Sequence, residues 1–417
     1  MDGTDKILVL IIAVACYALA LSRKINIAYA SLGASALLMI LGLLTPADAF
    51  FNAINWDVLG IYWGFMMVSY VFMKSRMPEL IANRILCYVK VERWAIFSLC
   101  AVTAFLSALM ENVGVVLMMA PVAIAISKRM ESSLFHYLIA IAVSSNVVTT
   151  LSMVADPPAI ILAMETGMKP MDFYWFLGKI GLGTITFFGV LVAMATLLFQ
   201  FRWMNKVVNV THEDIPATKG ASILFFLGVA TLIIGPEFGL RPGYAGFGSG
   251  LVACYMGREY LKEMVTEFDW NSLFFIVGIF MVIHTLSNSG LLDDLGKFMV
   301  GKGVDNPTGL LAFLTWISVA FSAVMDNVPY TILMIPVCKS LAASIGIAAW
   351  PFLYGMIIGT GIGGNITPVG ATANVFACGI LEKNGHKVNL IEYMKISVPF
   401  SVAAVLTAHI LIQIIWL

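Results

Sequence analysis

Apolar runs dominate the chain, most of them near the about 20 residues that a membrane-spanning helix needs. The hydrophobic pattern predicts spans at roughly 7–22, 26–44, 56–73, 134–164, 177–200, 221–236, 244–257, 270–287, 352–380 and 396–417. Polar and helix-breaking residues interrupt two of these, 134–164 and 352–380. Two further apolar segments, about 94–127 and about 308–343, carry a polar centre. Short stretches at 78–90 and 291–300 mix charge with apolar residues and are expected to lie as amphipathic helices at the membrane interface. The alternation of a membrane β-barrel is absent.

The two halves repeat. SALMENVGVVLMMAPV at 107–122 aligns without gaps to SAVMDNVPYTILMIPV at 322–337, and Glu111 stands against Asp326. Upstream, WDVLGIYWG (56–64) resembles WNSLFFIVG (270–278) at a shift of 214 residues, against 215 at the acid motifs. Unrelated short matches would rarely share a shift, so the chain reads as a duplicated unit. The first repeat is 1–200, a polar linker with THEDIPATKG occupies 201–220, and the second repeat is 221–417.

Charge near the span ends tests the orientation of the repeats, because Lys and Arg favour the cytoplasmic side. With Arg23 and Lys24 inside and 94–127 entering and leaving on one side, Lys74, Arg76, Lys128, Arg129, Arg202, Lys206, Arg258, Lys262, Lys383 and Lys387 also fall inside. Lys169, Lys179, Arg241, Lys297, Lys302 and Lys339 fall outside, a minority. Each half then crosses five times, and an odd count inverts the second half. The expected fold is an all-α polytopic membrane protein of two inverted-topology repeats. Each has a re-entrant helical hairpin (about 94–127, about 308–343) and a broken transmembrane helix (about 134–164, about 352–380). Both termini are expected outside and the linker in the cytoplasm, in an inner or plasma membrane. Inverted repeats with broken helices are a recurrent build of secondary transporters.

Composition agrees. Of 417 residues, 60% are hydrophobic and 12% charged, whereas soluble domains carry about 25% charged residues. The net charge of zero gives no sign of a nucleic-acid partner; the expected partners are the lipid bilayer and a small inorganic ion or anion. Cys16, Cys87, Cys100, Cys254, Cys338 and Cys378 are scattered, without Cys-x-x-Cys spacing, and read as small packing residues. The first apolar run lacks a basic stretch before it and leads directly into the next, so it is expected to remain as a span.

The polar centres carry the chemistry. In Asp326-Asn327-Val328-Pro329 the proline is tolerated only in a helix's first turn, so a new helix should start there with Asn327 as its N-cap, and Glu111-Asn112 should do the same. The second break is SSNVVTTLSMVADPPAI at 144–160, where Asp156 precedes two prolines; its counterpart is GTGIGGNITPVGATANV at 359–375. Broken helices occur at membrane depth only where they face protein or a wet cavity. A charge at mid-membrane costs about 2.5–3.5 kcal/mol on insertion scales, which marks intramembrane acids as functional candidates. The candidate substrate- and ion-binding residues are therefore Glu111, Asn112, Asp156, Asp326 and Asn327, with Asn146, Thr150, Ser152, Asn365, Thr367, Thr372 and Asn374 from the breaks. Carboxylate and amide oxygens are hard donors suited to Na⁺, and a desolvated carboxylate can carry a proton. Two Na⁺ positions are expected, at Glu111/Asn112 and at Asp326/Asn327, with Na⁺ or H⁺ as coupling ions and no organic cofactor.

Other signals are weak. Gly359-Thr-Gly361-Ile-Gly363-Gly364 matches a dinucleotide fingerprint but lacks the strand and βαβ unit. Asn209-Val210-Thr211 is a glycosylation triplet in the expected cytoplasmic linker, and His284 in a span is expected to pack rather than relay protons. No nucleophile–base or zinc spacing suggests an enzyme.

At SAVMDNVPYTILMIPV and GGNITPVGATANVFACGILEKNG the chain resembles the ion transporter superfamily, in its branch of arsenite permeases and NhaD-type Na⁺/H⁺ antiporters. That branch includes the melanosomal P protein and silicon efflux transporters, with citrate and dicarboxylate transporters as more distant relatives. The resemblance covers nearly the whole chain. It implies hairpins and broken helices meeting at a central site, homodimers, and an elevator-like motion. Dicarboxylate relatives carry Ser-Asn-Thr at the hairpin tips, where this chain has Glu111-Asn112-Val113 and Asp326-Asn327-Val328; an acid in place of Ser suits proton coupling or cation binding. The branch commonly has a glycine-rich stretch before Asp-Pro-Pro, where this chain has Asn146 to Ala155. The expected activity is secondary transport: Na⁺/H⁺ antiport first, then proton-coupled arsenite efflux or Na⁺-coupled carboxylate uptake, with a channel as the least favoured reading.

Overall fold

A computed structural model describes residues 3–22, 25–87, 89–207, 216–291, 294, 306–325 and 327–417. Asp326, the Asn209-Val210-Thr211 triplet, Arg23, Lys24 and most of the 291–300 stretch lie outside the described residues. The described chain is almost wholly helical. The first half contains α1 (Gly3–Ser22), α2 (Ile27–Ile40), α3 (Trp56–Lys74), α4 (Met77–Leu86), α5 (Glu92–Ser107), α6 (Asn112–Arg129), α7 (Leu134–Asn146), α8 (Pro157–Thr166) and α9 (Leu182–Gln200). The second contains α10 (Lys219–Ile234), α11 (Pro242–Met256), α12 (Leu261–Glu267), α13 (Trp270–Asn288), α14 (Pro307–Ser322), α15 (Asn327–Ser344), α16 (Trp350–Gly363), α17 (Thr372–Lys383) and α18 (Leu390–Trp416). The repeat read from the acid motifs extends to the helix boundaries. α5, α6 and the start of α8 recur at α14, α15 and the start of α17 after 215 residues, and α3 recurs at α13 after 214.

Local chemistry sets these boundaries. Pro157 and Pro158 occupy the first turn of α8, after an extended Asp156, because proline lacks the N–H that a first turn does not need. Pro121 inside α6 and Pro336 inside α15 are equivalent positions. Asn55 and Asp269 cap α3 and α13 by accepting from Val58 N (3.3 Å) and Ser272 N (3.0 Å). The span expected from 177 begins only at Leu182. Residues before it turn back as a two-stranded hairpin, Trp175–Phe176 against Lys179–Ile180, through positive-φ Leu177 and Gly178. The expected linker is also shorter than 201–220. α10 starts at Lys219, and the linker's first residues fold onto α5, with Glu92 N donating to Lys206 O (2.9 Å) and Arg93 N to Met204 O (3.0 Å).

Packing joins the halves crosswise. α3 lies against α11, and its counterpart α13 lies against α2. Small residues permit the approach: a Cβ at Gly60 would sit 2.5 Å from Gly243 O, and one at Gly64 would run into Gly246 O. Gly278 meets Ser31 at the equivalent crossing. Without water to drive helices together, such small-residue contacts carry membrane helix association. Outward faces stay apolar, as at Ile11, Ile40, Phe51 and Phe226. Five helices, α3, α9, α10 with the turn after it, α13 and α18, are long and apolar enough to cross a membrane among the described residues.

The loops fall into two groups that meet only their own kind in the contacts seen here. At the linker end, Lys74 pairs with Glu263 (2.6 Å), Thr218 N donates to Ser75 O (3.0 Å), and Lys206 Nζ donates to Met130 O (2.6 Å) and Glu131 O (3.0 Å). At the opposite end, Lys169 pairs with Glu237 (2.6 Å), Arg241 with Asp57 (3.0 Å), and Lys339 Nζ donates to Glu165 O (2.7 Å). The hairpin α5–α6 therefore has both open ends at the linker end, whereas α15 closes the second hairpin at the opposite end. The hairpins enter from opposite faces, which is the inverted arrangement.

His284 is not simply packed: its Nε2 lies 3.1 Å from Asp48 Oδ2, and Asn288 Nδ2 is 2.9 Å from the same nitrogen. The cysteines form no disulfides, and Cys16, Cys100, Cys338 and Cys378 are buried.

Candidate functional site

The two hairpin tips meet the first turns of the broken helices around one cavity of about 80 Å³. Its wall carries Glu111, Asn112, Asn146, Asp156, Asn327 and Thr372 from the sequence-predicted set, joined by Tyr62, Asp269 and Ser272. A side pocket of about 20 Å³ shares Tyr62, Glu111 and Asp156, room for about one water molecule.

Five helices begin at this cavity: α6, α8, α13, α15 and α17. Their first N–H groups carry partial positive charge. In the first repeat the tip helix starts one residue earlier than expected. Asn112 is its first residue and Glu111 is the cap, with Oε1 accepting from Val113 N (3.0 Å) and Oε2 from Gly114 N (2.9 Å). Likewise Asn327 opens α15 rather than capping it. The longer Glu side chain reaches two amides where Asn would reach one, which explains the shift. Asp269 caps α13 and Asp156 precedes α8. α17 differs, because Ala371 before it offers no side-chain cap.

Equivalent hydroxyls tie each unwound segment to its own hairpin tip. Ser152 Oγ donates to Ala108 O, and Thr367 Oγ1 donates to Ala323 O, the same contact repeated 215 residues on. Ser145 Oγ donates to Asn112 O (3.1 Å), and Ser322 Oγ lies 2.6 Å from Thr360 O and 2.6 Å from the Asn327 side chain. An amide network then joins the halves. Asn146 Nδ2 donates to Asn365 Oδ1 (3.0 Å) and Asn374 Oδ1 (2.9 Å); Asn365 Nδ2 donates to Val143 O (3.0 Å), and Asn374 Nδ2 to Gly364 O (3.0 Å). All three asparagines are buried. A buried polar network of this kind rigidifies its surroundings only when satisfied.

The predicted residues thus divide. Ser152, Thr367, Asn365 and Asn374 brace the wall from behind. Thr150 does not line the cavity: the chain leaves the helix in turns after Asn146, and its Oγ1 lies 2.8 Å from Thr186 Oγ1 on α9, both fully buried. Asn112 Oδ1 is buried with no hydrogen-bond partner among the described residues, an acceptor on the cavity wall available to a cation or donor.

Sequence reasoning missed Tyr62, Asp269 and Ser272. The Asp269-Trp-Asn-Ser272 stretch before an apolar run was a readable helix-start signal, but it names a cap and not a cavity. These residues sit in the crosswise-packed spans, and Asp269 follows α12 at the linker end, so the cavity lies between that set of spans and the hairpin–broken-helix core.

Inverted repeats of apolar helices that converge on a small polar cavity are the architecture of a membrane transporter. The chain belongs to the citrate transporter family, whose model matches residues 17–359. It is 26% identical to an uncharacterized transporter of Mycobacterium tuberculosis, over 96% of this chain and 97% of that protein. It is 22% identical to the P protein of Homo sapiens, over 92% of this chain and 57% of that longer protein. Among solved structures it is similar to the YdaH transporter of Alcanivorax borkumensis, with a TM-score of 0.60 and 11% identity, covering 91% of this chain and 87% of that one. That likeness concerns the fold.

Proposed function

We propose that this transporter exchanges a small cation, Na⁺, for protons. The observation that supports it is the charge of the cavity wall: Glu111, Asp156 and Asp269 line it, with no lysine or arginine among its described lining residues. A citrate site needs cationic or N–H groups facing several carboxylates. Here carboxylates already stand at the starts of α6, α8 and α13. The volume of about 80 Å³ also lies well under the about 300–1,000 Å³ of sites for larger ligands. In this reading Na⁺ binds carboxylate and amide oxygens of Glu111 and Asn112, and of Asp326 and Asn327 in the second repeat. One carboxylate oxygen holds either a proton or Na⁺, so in this reading protonation empties the site and Na⁺ binding releases the proton. The linker lies in the cytoplasm and both termini outside, supported by the Lys and Arg side chains gathered at the linker end. Two copies are proposed to form a homodimer.

The test is ²²Na⁺ uptake into proteoliposomes driven by an imposed pH gradient. Saturable uptake that collapses with the gradient is expected; uptake indifferent to the gradient refutes the coupling.

A second reading is Na⁺-coupled uptake of a carboxylate such as citrate. The bare N-terminus of α17 favours it: Thr372 lines the cavity and no side chain caps the helix, and helix N-termini bind anions. Labelled citrate accumulating on a Na⁺ gradient would establish it over the first.

A further inference from the structure

A second cavity, about 450 Å³, opens at the linker end and shares no lining residue with the central one. Ser133 and His136 from the start of α7, His386 and Lys387 from the turn after α17, and Lys395 and Glu392 from the first turns of α18 wall it, with Phe135 and Ile396 as apolar surface. Two lysines and two histidines face one carboxylate. α7 begins at the same place, and its N-cap Ser133 makes no side-chain cap bond, so the partial positive charge of that helix end is not quenched by the protein. His136 Nδ1 is buried with no hydrogen-bond partner among the described residues. The ring packs T-shaped against Phe201 (5.8 Å) and Trp203 (5.4 Å). A buried polar atom with no protein partner is a group for a ligand to satisfy.

The surroundings select the ligand's source. Leu390 and Ile391, beside Glu392 along the chain, and Trp203, in ring contact with His136, are exposed apolar residues, and Arg202 stacks on Phe199 at 4.4 Å. Tryptophan and arginine in this combination mark headgroup depth. Basic pockets between membrane helices at that depth take lipid phosphates. We propose that this cavity binds the phosphate headgroup of an anionic phospholipid. The same helix ends at the central cavity: α7 is buried from Leu134 to its other end at Asn146 apart from the partly exposed His136, and Asn146 both lines the central cavity and holds Asn365 and Asn374.

The experiment measures binding by native mass spectrometry and thermal shift on the full-length protein in a neutral detergent. The probes are dioleoyl-phosphatidylglycerol, dioleoyl-phosphatidylcholine and inorganic phosphate. Phosphatidylglycerol should bind saturably and raise the melting temperature, with phosphatidylcholine and inorganic phosphate at least tenfold weaker. The exposed double variant Lys387→Gln/Lys395→Gln should weaken that binding at least tenfold. Lys387→Arg/Lys395→Arg, and a control pair outside the cavity, Lys219→Gln/Lys262→Gln, should keep it. Equal phosphatidylglycerol binding by the Gln double variant and wild type overturns the site. Equal affinity for inorganic phosphate overturns the lipid assignment.

Discussion

Glu111→Gln separates the two jobs that the structure gives one carboxylate. As a cap, Glu111 accepts from Val113 N at 3.0 Å and Gly114 N at 2.9 Å. Glutamine keeps one acceptor oxygen, so it forfeits at most one of the two bonds. Deleting an N-cap entirely costs about 0.5–2 kcal/mol, so the half-loss is about 1 kcal/mol or less. A loss of that size lowers the melting temperature by about 2–4 °C in domains of 150–250 residues, and by less in a longer chain. Glu111→Ala removes both bonds and should lose roughly twice as much. Transport should respond on another scale, because an amide cannot trade a proton for Na⁺. Exchange in proteoliposomes should drop by at least about tenfold, the equivalent of about 1.4 kcal/mol, in a protein that still melts near the wild-type temperature. A Glu111→Gln protein that melts normally and exchanges at the wild-type rate would reduce Glu111 to a cap and refute its place in the ion site.

Other perturbations probe the scaffold and the loops. Gly64→Ala puts a methyl against Gly246 O and should destabilise the α3–α11 crossing by about 1–3 kcal/mol; Gly33→Ala, with open space around it, should leave the melting temperature in detergent unchanged or slightly higher. Asn146→Ala strips the donors from Asn365 Oδ1 and Asn374 Oδ1, and each buried acceptor left unpaired costs about 1–3 kcal/mol; a melting temperature equal to wild type would show that the network is not needed. Asp48 is held below the usual carboxylate range, first by Asn52 donating to it and then by His284. A depressed carboxylate stabilises the fold above its unfolded value, and that contribution fades as pH falls through the folded value. The melting-temperature gap between wild type and Asp48→Asn should therefore close as the pH drops below the carboxylate range, and a gap that does not move with pH contradicts the pairing.

The spans and breaks were legible because membrane helices write themselves as uninterrupted apolar runs, and because the duplication let Glu111 be read against its partner. Prolines at 157 and 158 marked the break in the span 134–164, and α8 starts at the first of them. The cap at Glu111 was misread by one position, since Asn is the commoner cap and nothing in the sequence states that a longer side chain will fold back onto two amides. Thr150 carries a suitable hydroxyl, but its direction depends on how the helix unwinds after Asn146. Asp269 and Tyr62 belong to spans far from the acid motifs, and only the crosswise packing of α3 and α13 brings them to the hairpin tips. Local pattern located the elements; the convergence of five helix starts on one cavity is a property of the tertiary arrangement.

Exchange of Na⁺ for protons at the acidic cavity is tested most directly by adding NaCl, choline chloride or pH-matched choline citrate to the purified protein in weak buffer and reading the pH against a protein-free blank. Na⁺ should release protons saturably, choline should release none, and Glu111→Gln should lose the release. A pH change evoked by citrate and not by Na⁺ would contradict it.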